Sequence, residues 1–563
     1  MSSNKSKLFV KNILLVAVGI LVISIIILSL VPPVSKDALI HHLAVPKLYL
    51  KHGGIYEIPF MEFSYYPMNL DLLYMIPLYF GNDIAPKFIH FVFAFLMAWL
   101  IYSYIKSRAN ERYGLLGVIL FLSIPIIIKL SITVYVDLGE TLFSFAALIF
   151  MLKWLRNDFR LRYLIYSGIM CGLALGIKYN GLVTLFVLTL FVPYLYSRYN
   201  EIKKQNFIKS VGYCFVFLII SLTVFSPWMI RNYYWKGNPV YPLYNKFFNP
   251  QNPINETKKN ASSENNGVKQ NYGFFTYRSI IYKESGIKIA LLPIRIFFQG
   301  RDGDPQYFDG KLNPFLLILP FFGFYRLRDD PEDLKREKKI MLAFTLLFFG
   351  FAFFTAVFRI RYISPIIPPL VLLSVFGIKN FFDFTESRSS RLYYNVGKAF
   401  IVISLGFFLI LNGIYITNLY KAVDPFPYIK GKINRDEYIS RFIPEYPILK
   451  YINNNLSPDA KIYFIFLGKR GYYCDRDYIF NIGIISHLIK SAHKPKDIIK
   501  GLRASGITHL LINYRLFERW MGDNFTEERQ ALTRQFFQKY TNLLCFNKGF
   551  GLIVLMMDNE KML

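Results

Sequence analysis

Long uninterrupted apolar runs alternate along this chain with short segments rich in Lys and Arg. A bilayer core takes roughly 20 consecutive apolar residues, so runs of that length predict membrane-crossing helices. The first covers 12–31, follows Lys5, Lys7 and Lys11, and stops at Pro32-Pro33. It is too long for a signal-peptide core and has no small-residue cleavage site, so it reads as a retained anchor with a cytoplasmic N-terminus. Further spans are predicted near 84–104, 113–129, 138–155, 163–177, 182–196, 211–225, 314–324, 340–358, 363–378 and 400–416. The expected architecture is a polytopic α-helical membrane protein of about eleven transmembrane helices.

Loop charge tests that ladder, because Lys and Arg collect in the loops that stay in the cytoplasm. Alternate loops carry Lys106, Arg108 and Arg112; then Lys153, Arg156, Arg160 and Arg162; then Arg198, Lys203, Lys204 and Lys209. Later ones hold Arg326, Arg328, Lys335, Arg336, Lys338 and Lys339, and then Lys379, Arg388, Arg391 and Lys398. The remaining loops, principally 32–83 and 227–312, are therefore expected outside. In the first, Leu39, Leu43, Leu48 and Leu50 interspersed with His41, His42, Lys47 and Lys51 predict an amphipathic interfacial helix ended by Gly53-Gly54. "NLDLLYMIPLYFG" predicts a second. In the second loop, a polar Asn- and Lys-rich stretch reads as a mobile loop, and its sequons at Asn255 and Asn260 are acceptors only in a secretory pathway.

Beyond Val423 the pattern changes. In 424–563, helical segments alternate with the strand-like "KIYFIFLG" and "THLLIN", predicting a soluble α/β domain delivered to the outside by the last span. The membrane domain is assigned to 1–423.

Composition narrows the function classes. The 563 residues are 54% hydrophobic and 18% charged, which excludes disordered and disulfide-scaffold readings. A net charge of +29 would suggest nucleic acid in a polar chain; here it marks cations holding helices to an anionic leaflet, with membrane lipids and no nucleic acid as partners. Of four cysteines, Cys474 and Cys545 share the outer domain, and unpaired thiols are expected there.

Carboxylates at interfacial depth are costly unless solvated or paired, which makes Asp37 and Asp137 the leading candidates for chemistry. The competing reading is that each caps a helix. On the same face lie Lys47, Lys178, Arg231, Arg359 and Arg361, a set suited to an anionic lipid headgroup through charge-assisted hydrogen bonds. The adjacent His41 and His42 point about 100° apart on a helix and cannot share a metal as an i,i+4 pair does. Either could join Asp37. There is no phosphate-binding Gly loop, no zinc-protease His pair and no Cys-x-x-Cys.

The strings "DALIHHLAVPKLYLKHGGI", "YYPMNLDLLYMIPLYFG", "YVDLGETLFSFAALIFMLKW", "GLALGIKYNG", "PWMIRNYYWKGNPVYP" and "RYISPIIP", taken in order, resemble bacterial membrane glycosyltransferases of the GT-C fold. The resemblance is to the aminoarabinose-transferase-like and protein-mannosyltransferase-like group. It implies an inverting enzyme of the cytoplasmic (inner) membrane that moves a sugar from a polyprenyl-phosphate donor to an envelope lipid, glycan or protein. It maps acidic positions onto Asp37 and Asp137, and it is compatible with a divalent metal without specifying one. Ala38 departs from the pattern, since many members have a second acid there. On the residues themselves, Asp37 suits a general base and the cations suit a departing phosphate. A cell-wall or O-antigen polymerase or ligase, a non-catalytic lipid-binding subunit, and a transporter are the alternatives; the last would place ionisable groups near the midplane.

Overall fold

The computed structural model describes residues 2–200, 206–250, 273–325, 327–354, 358–386 and 391–556. The polar stretch with Asn255 and Asn260 lies outside the described residues, as do Lys203, Lys204, Arg326 and Arg388.

Among the described residues the runs predicted to cross the membrane are mainly helical, but the helices differ in length and polarity. Helix α1 is Ser2–Ser29. After a π-helical turn at Ala38–His42 come α2 (Ala44–His52) and α3 (Asn69–Tyr79). Next are α4 (Ala85–Arg108), α5 (Glu111–Leu122), α6 (Pro125–Ser131) and α7 (Asp137–Arg156). They are followed by α8 (Leu161–Ile177), α9 (Gly181–Tyr199) and α10 (Asn206–Lys236). The later apolar helices are Phe315–Gly323, Glu332–Phe353, Ile367–Glu386 and Arg391–Val423.

Among the described residues seven helices are long and apolar enough to cross a membrane, or eight if the α5–α6 pair counts as one span. The expectation of about eleven exceeds this for physical reasons. Helix α8 has 17 residues, Phe315–Gly323 has 9, and Glu332–Phe353 opens on the charged run "EDLKREKK". The run predicted as one span at 113–129 bends by 71°. Pro125 forces Ile124 into an extended conformation (ψ 127°), and α6 restarts from that proline.

Close packing in the bundle depends on small residues. Gly168, Gly172 and Gly176 recur every fourth position of α8 and let it approach α10 and α3. A Cβ on Gly172 would lie 2.5 Å from the Ser221 carbonyl oxygen and 2.6 Å from the Val224 Cβ. Such stripes are how helices associate where lipid removes the hydrophobic drive between them.

The segment expected to lie in the interface is instead buried. The π-helical turn and α2 put Ala38, Leu39, Leu43, Val45 and Tyr49 into an apolar cluster with Met68, Val136, Trp228 and Tyr472. Gly53, at φ 83°, closes α2 in the left-handed region. Helix α3 does keep an exposed apolar side at Leu73, Ile76 and Tyr79 while burying Leu70, Asp71 and Tyr74.

The C-terminal part carries a five-stranded sheet in the order β2-β1-β3-β5-β4. Strand β1 (Lys461–Ile465) runs parallel to β2 (Asp477–Ile479) and β3 (His509–Asn513). An antiparallel hairpin of β4 (Thr541–Asn547) and β5 (Phe550–Leu555) completes it against β3. Cys474 and Cys545 are both free thiols. This domain grips the buried segment directly. Lys47 and Lys51 pair with Asp475 and Asp477, each at 2.6 Å, and Tyr472 donates its N–H to the Leu39 carbonyl at 3.2 Å. Arg435 pairs with Asp83 at 2.5 Å, and the Tyr473 hydroxyl donates to the Pro33 carbonyl.

Candidate functional site

The site begins at the π-helical turn. Its Leu43 N–H reaches back five residues to the Ala38 carbonyl, so the turn is wide, and its His41 and His42 rings, 3.9 Å apart, both lie near enough to Asp37 to act on its charge. Asp37 occupies the capping position of this turn, yet its side chain caps nothing. Its Oδ2 meets Arg361 Nη1 at 2.7 Å. Burial by itself would raise the Asp37 carboxyl, but the Arg361 guanidinium, with His41 and His42 beside it, holds it well below the usual carboxylate range.

A second ion pair lies alongside. Asp137 opens α7, and its Oδ1 meets Lys178 Nζ at 2.5 Å where α8 ends. Val136, not Asp137, is the cap residue. Aromatic rings tie the two pairs together. Arg361 lies over Tyr135 and Tyr362 at 5.0 and 5.5 Å, and Lys178 over Tyr362 at 4.9 Å. The Asn180 amide donates to the Tyr362 carbonyl, fixing the chain that carries Arg361.

Arg231 completes the cationic side in a different way. It is held between Trp228 and Trp235, 4.4 and 4.9 Å from their ring centres, and donates to Asn232 Oδ1 and the Tyr66 carbonyl. Among the described residues it faces no carboxylate, and its buried Nη1 has no hydrogen-bond partner. The buried Tyr49 hydroxyl is likewise unpartnered and close enough to feel the Arg231 charge. Buried donors without acceptors are costly, which sets these two groups apart from the paired charges around them.

His42 pairs with a different carboxylate; its Nδ1 lies 2.7 Å from Asp71 Oδ1 on α3. His41 stacks on Phe63 at 4.5 Å with its buried Nδ1 unpartnered, and burial pushes it down to about 3. Two of the candidate cations go elsewhere. Lys47 is bound to Asp475 and to the Tyr472 carbonyl of the sheet domain. Arg359 faces Asp309 at 3.5 Å in a separate group with Lys129, Asp302 and Tyr415.

Linear reasoning passed over Asp71, Glu140 and the tryptophan pair. Glu140 lies one turn along α7 from Asp137, fully buried, with Oε1 accepting from Ser144 Oγ at 3.2 Å and Oε2 unpartnered. Its signal was a second acid three positions after Asp137 in "VYVDLGETLF". Trp228 and Trp235 flank Arg231 at helical spacings of three and four, as a sandwich on one helix face requires. Among the described residues, no group of three or more His, Cys, Asp or Glu side chains is arranged to hold a metal ion. The two leading carboxylates are instead neutralised by Arg361 and Lys178.

Residues 75–230 match the dolichyl-phosphate-mannose-protein mannosyltransferase family. No curated protein sequence matches. Among solved structures, the chain is similar to ArnT from Cupriavidus metallidurans in the apo state, with a TM-score of 0.55, 13% identity and 98% of each chain covered. The undecaprenyl phosphate complex of that protein gives a TM-score of 0.54 at 13% identity, covering 96% of this chain and 98% of that one. The oligosaccharyltransferase of Archaeoglobus fulgidus tethered to an acceptor peptide gives 0.51 at 12% identity, covering 95% of this chain and 74% of that one. Helices and sheet domain together thus have the GT-C fold.

Proposed function

We propose that the chain transfers a sugar, with inversion, from a polyprenyl-phosphate donor to an envelope lipid, glycan or protein on the outer face of the cytoplasmic membrane. The carrying observation is the meeting of Asp37–Arg361 and Asp137–Lys178 beside the uncompensated Arg231. The two ion pairs sum to zero charge, so Arg231 is the cation left for a phosphodiester. ArnT, whose fold this chain shares, has been solved with undecaprenyl phosphate bound. The Lys and Arg asymmetry of the loops supports a cytoplasmic N-terminus and an outer sheet domain.

In this reading the acceptor hydroxyl or amine attacks the anomeric carbon while the bond to phosphate oxygen breaks. Arg231, Arg361 and Lys178 stabilise the charge that grows on the leaving phosphate. As Arg361 turns toward phosphate it releases Asp37, whose carboxylate recovers basicity and takes the acceptor's proton. Arg361 therefore couples donor binding to base activation.

Binding of short-chain polyprenyl phosphate in nanodiscs, with neutral polyprenol as control, tests the donor site. Arg231→Gln should weaken phosphate binding by roughly 10-fold to 150-fold, the loss of a charged hydrogen bond of ~1.5 to 3 kcal/mol. Lys335→Ala, in a loop of the opposite set, should leave it unchanged. Equal affinity for phosphate and alcohol would defeat the reading.

A further inference from the structure

Sugar transfer creates a charge problem that the pairs at Asp37 and Asp137 do not solve. A phosphodiester carrying one negative charge becomes a phosphate carrying two, in a largely buried site. Retaining the acceptor's proton nearby would hold the site's total charge constant. Asp37 is a poor final home for it, because Arg361, once it swings back from phosphate, favours the ionised carboxylate again.

A better home lies one layer deeper. His42 and Asp71 are both buried, with Nδ1 and Oδ1 2.7 Å apart. With the Nδ1 proton donated to Asp71, the bare Nε2 is free to accept. A histidine oriented by a buried carboxylate is a recurring proton acceptor in catalysis. The wide π-helical turn carries His42 five positions after Asp37, near enough to feel its charge, and Tyr135 packs edge-on against the imidazole at 5.7 Å.

We propose that the Asp71–His42 pair is where the acceptor's proton comes to rest during sugar transfer, delivered by Asp37. The inference rests on the sugar-transfer reading above. The acceptor oxygen or nitrogen bonds to the anomeric carbon, and the bond from that carbon to the phosphate oxygen breaks, its electron pair leaving with phosphate. The proton passes to the Asp37 carboxylate and on to His42 Nε2, while the Nδ1 proton is shared with Asp71. No other reactant is needed.

The charges around the pair pull in both directions. Asp37 from its own turn and Asp137 from α7 favour a proton on His42, whereas Lys178 from the end of α8 and Arg361 from the segment after Arg359 oppose it. His41, His90 on α4, Tyr49, Tyr74 and Tyr135 also face the pair. Burial pushes Asp71 up to about 8, with Asp137 adding to the rise, so the pair as a unit holds protons far more tightly than a solvated carboxylate. Burial lowers His42, so the added proton is drawn toward Asp71.

The test uses full-length protein in nanodiscs. In infrared spectra of the wild type, the protonated-carboxyl band should contain a component that disappears as pH rises through about 8 and is absent from Asp71→Asn. With polyprenyl-phosphate mannose as probe, His42→Asn should lower kcat by about 100-fold with the donor KM unchanged. The variant should also lose the wild type's rise in rate toward alkaline pH, where the pair is empty and ready to accept. A merely structural role would leave that profile in place. Identical infrared titrations of wild type and Asp71→Asn overturn the proposal, as does wild-type kcat and pH profile in His42→Asn. Should the infrared difference persist in a protein with no affinity for polyprenyl phosphate, the transfer reading falls and this role with it. Intact transfer without the infrared difference removes this role alone.

Discussion

Asp37 shows how one contact decides what a carboxylate can do. Its partner is a guanidinium 2.7 Å away, and removing that guanidinium reverses the balance between burial and attraction. In the wild type the lowered value means that the pair's stabilisation is complete above the ordinary carboxylate value of about 4 and is lost only as pH falls through the lowered one. In Arg361→Gln burial dominates, the carboxyl rises, and the fold becomes relatively more stable on acidification. Thermal unfolding should therefore show the gap between wild type and Arg361→Gln narrowing from pH ~7 to pH ~4; a constant gap would uncouple the two residues. Asp37→Asn should insert and fold yet lose at least ~100-fold in transfer, the lower end for a general base. Rapid transfer by the purified variant would assign the proton to another group. Asp37, Asp137, Lys178 and Arg361 were visible in sequence because charge is conspicuous in apolar surroundings. The link from His42 to Asp71 was not, since a separation of 29 positions gives no hint that α3 returns to the turn.

Elements were legible where composition alone decides them and obscure where packing does. Apolar runs located the helices, and Pro125 was in plain view, but its effect on α5 and α6 depends on which conformation Ile124 adopts. Strands β1 and β3 stand out as short apolar runs, whereas β2 has three residues and β4 exposes Leu543 and Phe546. The glycine stripe of α8 carries the sharpest prediction at this scale. Gly172→Leu would drive a side chain into the Ser221 backbone and Val224, so α8 and α10 must separate. We expect loss of the monodisperse species in detergent, while Gly212→Leu, with open space around its Cβ position on α10, should be tolerated. Equal behaviour of the two variants would count against close helix approach as the constraint.

Across the whole molecule, the sheet domain acts as a cover clamped to the buried turn. Lys47 and Lys51 on α2 reach Asp475 and Asp477, and Arg435 reaches Asp83 at the start of α4. Lys47 looked from sequence like a ligand for lipid phosphate because its domain partner lies more than four hundred residues away. The partly exposed pairs are individually worth little, about 0 to 1 kcal/mol each, but they work together with a buried apolar contact. Lys47→Glu with Lys51→Glu should loosen the cover, measured as faster proteolysis near residue 475, and restoring charge by Asp475→Lys with Asp477→Lys should reverse it. Failure of the reversal would mean that the apolar contact alone holds the domain. Sidedness is open to the same kind of check: an impermeant thiol reagent applied to intact cells should label a cysteine placed at 440 and spare one at 330.

Helix α10 adds a dimension that charge and packing leave out. Its 31 residues extend about 46 Å, whereas the hydrocarbon layer is about 30 Å thick. With the layer ending near Pro227, the surplus turns would carry Trp228, Arg231 and Trp235 beyond the acyl chains, where the exposed rings of Tyr233 and Tyr234 suit the headgroup zone. A thicker membrane would tilt the helix less and submerge more of it, drawing the arginine toward the tails. Under the proposed transfer, membrane thickness would then tune activity through the depth at which a lipid-borne phosphate meets its arginine.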